Sequence, residues 1–412
     1  MTPAFRRVLA ASVAANLADG VRGAALPLVA ASLTRDPLAF SAVAVAGSLP
    51  WLLLSLPVGA ALDRFDRARA MTLAATWRAV SVGLLGVAVA TGRANVALLV
   101  AVALLLGAGE VLFDNAAQTV VPALVDAREL ERANGRLYAA EITTNQFAGP
   151  PLGGALFVAA AAVPLLADAG LLALAALLLL RIPRGRRDEA VGSTEPARSA
   201  DRPAMRHAIV EGVRWLRGHR LLRTLALLLA VMNGTVSMGM ATFALYAVGD
   251  GSVLGLGPVG FSLLLTAGAA GSLAGSLLAA RVVAVVGRLR VLWVTLGTAV
   301  VVPLLVGTAR TTIVVALATA LMGLTGVAWN VVTVSLRQSV IPDALLGRVN
   351  SVYRFLGWGA IPVGGALGGI VADLGGLRAP WLVAAGIAAL ALLPATRVLR
   401  GDVLERATER AD

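Results

Sequence analysis

Cysteine and lysine are absent from this 412-residue chain, and histidine occurs only twice. Without cysteine there is no disulfide, no thiolate metal site and no thiol nucleophile. His207 and His219 both fall in the polar centre of the sequence, so a buried imidazole metal site is excluded and no cofactor is expected. There is no Gly-x-x-x-x-Gly-Lys phosphate loop, so the chain does not itself hydrolyse ATP. Charged residues make up only 14% and aromatic residues 5%. A membrane enzyme would need polar catalytic groups clustered near a surface, and the absence of any such set argues against an enzyme.

Apolar residues are abundant, at 58% with a mean hydropathy of +0.84. That is far more than one soluble core needs, which makes this an integral membrane protein. Roughly 20 apolar residues cross a hydrocarbon layer of about 30 Å. Twelve such stretches are predicted, at 9–33, 38–62, 71–91, 95–121, 135–160, 162–182, 222–248, 257–285, 289–309, 311–336, 350–373 and 379–399. The first is too long for a cleavable signal peptide, lacks a cleavage site and runs on into a second span. The expected fold is all-α, with twelve transmembrane helices in two six-helix bundles related by pseudo-two-fold symmetry. The bundles are residues 1–182 and 222–399, with a linker at 183–221 and a tail at 400–412. Within the linker, Ala208, Ile209, Val213, Trp215 and Leu216 alternate with Arg206, Glu211, Arg214 and Arg217. Two readings stand: an amphipathic helix on the membrane surface, or a solvated helical linker.

The net charge is +12, and the placement of the arginines decides its meaning. They crowd the termini, the linker and alternate loops, whereas the opposite loops hold only Arg35, Arg93, Arg310 and Arg378. This asymmetry predicts a bacterial inner-membrane protein with both termini and the linker in the cytoplasm. The basic charge then meets membrane lipid headgroups rather than nucleic acid.

The sequence also repeats itself. Gln118-Thr-Val-Val-Pro122, Arg132-Ala-Asn134 and Pro151-Leu-Gly-Gly-Ala-Leu156 return in order as Gln338-Ser-Val-Ile-Pro342, Arg348-Val-Asn350 and Pro362-Val-Gly-Gly-Ala-Leu367. Two like bundles that rock against each other can open a central path to either side.

Two motifs narrow the reading. After the second span comes Gly59-Ala-Ala-Leu-Asp63-Arg64-Phe-Asp66-Arg67. An acid at a helix end, followed by bases, can latch one face shut, or can serve topology alone. In the fifth span Gly149-Pro150-Pro151-Leu-Gly153-Gly154 combines prolines that remove backbone donors with glycines that permit close packing. These motifs resemble the signature loop of the major facilitator superfamily and the Gly-Pro-x-x-Gly-Gly core of its exporting members. Asp66 and Asn145 replace glycines usual in that family, and the second-half loop, Gly275 to Arg281, lacks the acid. With Asp19-Gly20, Leu49-Pro50-Trp51, Trp329-Asn330 and Gly347-Arg348, the chain looks like the bacterial branch of enterobactin exporters and macrolide efflux proteins. The resemblance implies a monomeric secondary transporter that exports a small amphipathic substrate, such as a drug, antibiotic or siderophore, by antiport with protons. A flippase for lysophospholipids within the same superfamily and a non-transporting receptor or assembly factor are the alternatives.

Ionisable groups inside spans are costly unless they face a cavity or a partner. Asp19 lies near the middle of the first span with Arg22 at i+3, close enough to pair. Glu110, with Asp114 one turn on, lies in the fourth span, and Glu141 lies in the fifth beside Asn145 and Gln146. The repeat sets Asn330 opposite Glu110. Neither glutamate has a cation within one turn of its own helix, so Glu110 and Glu141 are the expected proton carriers, ahead of Asp19 and Asp114. The related exporters usually embed an arginine in the fourth span, and none occurs here. Arg22, Asn145, Gln146 and Asn330 are expected to line the cavity. Gly59, Asp63, Arg64 and Arg67 are expected to gate its cytoplasmic side. Arg78, Arg337 and Arg354 are read as lying near the cytoplasmic ends of their spans, as anchors, latches or substrate contacts. Trp51, Trp329, Trp358, Phe243 and Tyr246 either line the cavity or pack.

Overall fold

The computed structural model describes residues 2–62, 66–121, 124–125, 129–181 and 205–399. Asp63, Arg64 and Pro122 lie outside them. The first half comprises α1 (Pro3–Leu33), α2 (Pro37–Leu62), α3 (Arg67–Ala90), α4 (Val96–Val120), α5 (Leu130–Glu141), a π-helical segment (Ile142–Ala148), α6 (Gly149–Ala159) and α7 (Val163–Leu180). After α8 (Met205–Gly218), the second half comprises α9 (Arg220–Met240), α10 (Phe243–Ala247), α11 (Pro258–Val286), α12 (Arg288–Thr308), α13 (Thr312–Val340), α14 (Asp343–Gly375) and α15 (Ala379–Thr396). Among the described residues, ten helices are long and apolar enough to cross a membrane. The charged α1 and the composite α5–π–α6 complete twelve crossings.

Two of the expected uninterrupted spans are broken. Pro150 and Pro151 cannot donate backbone hydrogen bonds, and their rings crowd the preceding turn. The helix widens ahead of them to bonds five residues apart, with the Gly149 N–H donating to the Thr144 carbonyl. The stretch at 222–248 likewise divides into α9 and α10 at Ala241–Thr242. Asp66, at the position of a family glycine, caps α3: its Oδ1 accepts from the Arg69 N–H at 2.8 Å. Arg67 opens that helix.

The halves repeat the same close approaches. In the first, α1 meets α6 where Gly149 lies against Gly20 and Gly153 against Val21; in the second, α9 meets α14 where Gly364 lies against Gly234 and Gly368 against Met238. Gly47 and Gly107 bring α2 and α4 together, as Gly268 and Gly323 do for α11 and α13. Glycine is needed at such crossings because a Cβ would strike the facing backbone.

The most extensive contacts between the halves are α2 against α14 and α6 against α11. Towards the face away from the termini the fit is tight. A Cβ on Gly369 would strike the Ser41 hydroxyl, one on Gly365 would meet Val45 at 3.3 Å, and one on Gly154 would lie 2.8 Å from Ser262 Cβ. Arg35 Nη1 donates to the Val248 carbonyl at 2.8 Å across the same face. Towards the termini face, Tyr138 of α5 and Val285 of α11 are exposed. There α8 packs on the start of α14 through a Glu211–Arg348 ion pair and Gly212.

Candidate functional site

Five ionisable side chains converge inside the first half, drawn from four helices. Arg22 of α1 pairs with Asp19 at 2.7 Å and with Glu110 of α4 at 3.0 Å, and lies 3.8 Å from Asp168 of α7. Arg78 of α3 pairs with Asp19. Arg78 and Asp168 are fully buried, Arg22 and Asp19 nearly so, while the Glu110 side chain keeps 31% of its surface exposed. Both Asp168 oxygens, as well as Arg22 Nη1, lack a hydrogen bond. The helices that carry the group bury apolar side chains as well: Ala15, Ala18, Leu85 and Leu165 are all buried.

Local packing places these groups. Gly109 of α4 has no Cβ to collide with the Arg78 stem, which would lie 2.6 Å away, and this lets Arg78 run between α3 and α4 to reach Asp19. The Gly20, Gly149 and Gly153 contacts press α6 against α1 and so orient the face that carries Asp19 and Arg22.

Several expectations change. Glu110 has no cation on its own helix, but Arg22 reaches it from α1, so it is paired. Arg78 does not sit near a helix end as an anchor: it lies mid-helix, fully buried, and pairs with Asp19. Asp168 was not singled out from the sequence. Its only signal was an acid in an otherwise apolar stretch, Val163–Leu180. Asp114 lies one turn beyond Glu110, half-buried, and Glu141 is exposed at the end of α5. Asn145 turns its carbonyl to the Gly20 crossing, and Gln146 is half-buried beside it.

Among the described residues the second half contains no comparable group. A cavity of about 610 Å³ lies among α9, α11, α12, α13 and α14, with Asn330 and Trp329 in its lining. Among the described residues no charged side chain lines it. Near the termini face, Arg337 hydrogen-bonds Asn350 at 3.2 Å and covers the Tyr353 ring at 4.1 Å. Trp51 and Trp358 meet across the halves with centroids 4.8 Å apart. Phe243 packs with Tyr246, Phe261 and Trp381, closing the opposite face above the cavity.

Two like helical halves, an interface that closes tightly at one face, and polar groups held inside an apolar bundle define a non-enzymatic, multi-pass membrane transporter of the major facilitator type. The chain belongs to the transmembrane secretion effector family, which it matches over residues 1–409. It is similar to the multidrug efflux pump Tap of Mycolicibacterium fortuitum, with 29% identity over 395 residues that make up 91% of this chain and 90% of that one. The nucleoside transporter NupG has the same fold, with a TM-score of 0.71 and 12% identity over 96% of this chain and 99% of its own. So has a bacterial homologue of the iron transporter ferroportin in an inward-facing state, with a TM-score of 0.71 and 16% identity over 96% and 99% of the two chains.

Proposed function

We propose that this protein exports small amphipathic compounds across the bacterial inner membrane by alternating access, in exchange for protons. The observation that carries the proposal is the sharing of Arg22 among three carboxylates. With Asp19, Glu110 and Asp168 all ionised, the cluster holds three negative charges against the two positive charges of Arg22 and Arg78. An unbalanced charge in an apolar bundle costs several kcal/mol, and one bound proton balances it. Glu110 is the member with an exposed edge and is therefore the entry for that proton. When the proton binds, Glu110 releases Arg22 to Asp19 and Asp168, and the contact between α1 and α4 weakens. When it leaves, the contact re-forms. Protonation thus alters how the helices of the first half hold together, which is the linkage that antiport requires. The similarity to Tap supports efflux as the direction and drug-like compounds as the cargo.

The test is reconstitution into liposomes with a basic dye such as ethidium as cargo. Uphill dye movement driven by an imposed pH gradient, and abolished by a protonophore, is expected. Dye movement indifferent to the gradient would refute proton coupling, and no movement for any amphipathic probe would refute export.

A further inference from the structure

Where α1 and α7 run side by side on the outside of the first half, an open groove of about 490 Å³ lies between them. Leu9, Val13 and Leu17 of α1 and Leu174 and Leu178 of α7 line it. Ala10 and Ala14 leave it open, because a methyl group spares the room that a longer side chain would fill. From Arg6 to Leu17 the groove follows α1 for roughly 17 Å, at ~1.5 Å per residue. One leaflet takes up about half of a hydrocarbon core of about 30 Å. The groove is therefore as long as one leaflet is deep, starting at the termini face and ending near the middle of α1.

Arg6 is the one charged residue in the groove's lining and stands at its outer end. The Arg7 guanidinium donates to the Arg181 carbonyl, which ties the start of α1 to the end of α7 and gathers three arginines at the mouth. Among the described residues no carboxylate pairs with Arg6, Arg7 or Arg181. An apolar surface alone would attract no lipid in particular, since the surrounding acyl chains are as apolar as leucine. A recess one leaflet deep that opens beneath unneutralised arginines is more selective, because it fits a chain and an anionic headgroup together.

We propose that the α1–α7 groove is a binding site for one anionic phospholipid, with an acyl chain laid between the two helices and the phosphate held by Arg6, Arg7 and Arg181. The inner end of the groove has a structural consequence. Leu17 lies within one turn of Asp19, and Asp168, three residues before the groove-lining Leu171, faces Arg22 at 3.8 Å. A lipid seated there braces the same seam that brings Asp168 to Arg22, and so stabilises the folded first half. The inference does not depend on what the protein transports.

Native mass spectrometry of the full-length protein, titrated with dioleoyl phosphatidylglycerol or dioleoyl phosphatidylcholine, tests the site. One phosphatidylglycerol adduct should saturate first, with an affinity at least about fivefold above that for phosphatidylcholine, the worth of one arginine beside an anionic headgroup. Arg6→Gln changes an exposed side chain and should weaken phosphatidylglycerol roughly fivefold while leaving phosphatidylcholine within about twofold. Ala10→Phe, also at an exposed position, fills the groove and should remove the saturable adduct. Arg288→Gln, exposed at the start of α12 in the other half, is the control and should leave phosphatidylglycerol within about twofold. Glycerol phosphate, which has the charge without the chain, should not displace the lipid. Phosphatidylglycerol should also raise the melting temperature more than phosphatidylcholine does, and Ala10→Phe should erase that difference. Equal affinity for the two lipids, or an equal loss in Arg6→Gln and Arg288→Gln, would reduce the effect to diffuse charge and overturn the assignment. So would an undiminished adduct in Ala10→Phe, displacement by glycerol phosphate, or a melting temperature that phosphatidylglycerol does not raise above the phosphatidylcholine value.

Discussion

Arg22 carries more of the electrostatic load than any other described residue, because Asp19, Glu110 and Asp168 all face it. Arg22→Gln would leave three carboxylates to Arg78 alone. Breaking a buried pair in this way costs about 3–5 kcal/mol, so a lower melting temperature and a lower yield of monodisperse protein are expected. Adding Asp168→Asn removes one of the stranded charges and should restore part of that loss; no recovery in the double variant would mean that Asp168 does not interact with Arg22. Glu110→Gln is a different kind of change, since it mimics the protonated carboxyl with little alteration of shape. Export driven by a pH gradient should fall to background in this variant, while exchange of labelled for unlabelled dye down its own gradient persists. Coupled export that survives would move the proton site to Asp168 or Glu141.

At the scale of the element, the α1–α6 crossing and the α8–α9 junction can be tested separately. Gly153 lies against the Val21 backbone, so Gly153→Val forces α6 away from α1. Overpacking of this kind costs about 1–3 kcal/mol, and because α1 carries Asp19 and Arg22 the transport rate should fall further than stability alone explains. Gly170, with open space around its α carbon, is the control: Gly170→Ala should change neither. At the junction, His219 stacks on Trp215 with centroids 5.2 Å apart, and its Nδ1 accepts from the Leu222 N–H at the start of α9. Burial pushes this imidazole below its ordinary range, and the neutral form is the one that can cap. The resulting stability is complete above about pH 6.5, the ordinary imidazole value. It is lost as pH falls through the lower folded value, where protonation removes the acceptor and places positive charge at a helix N-terminus. The protection factors of the amides in α9's first turn should therefore fall on acidification from pH 7.5 to about 5, and His219→Asn, which caps without titrating, should remove that dependence.

At the scale of the molecule, alternating access requires the tight interface at the far face to part. Val45 and Gly365 face each other there, and the chain has no native cysteine to confuse a crosslink. A Val45→Cys/Gly365→Cys pair should oxidise readily and arrest export, with recovery on reduction; a crosslinked protein that still transports would mean that this face does not open. The direction of that opening follows from topology. Arg217 of α8 and Asp250 beyond α10 are exposed on opposite faces. In intact cells an impermeant thiol reagent should label Asp250→Cys and spare Arg217→Cys, and the opposite pattern would invert the arginine-based orientation.

Local chemistry made much of the fold legible in advance. Apolar stretches long enough to cross a bilayer can satisfy their backbone only as helices, so the twelve crossings and the two-part repeat were readable before any coordinates. Proline and glycine likewise marked the bend and close packing around Gly149, because their effect is confined to their own turn. The charge cluster was not local. Glu110 had no cation on its own helix, and Arg22 reached it only once α1 and α4 were packed. Arg78 read as an anchor until Gly109 opened a path for it to Asp19. Asp168 stood alone in its stretch, and its relation to Arg22 exists only across the α1–α7 contact. Sequence alone determined the membrane crossings and the repeat, through transfer energies and steric rules that act within a few turns. Tertiary structure decided which charges meet, because those pairings depend on distances between helices far apart in the chain.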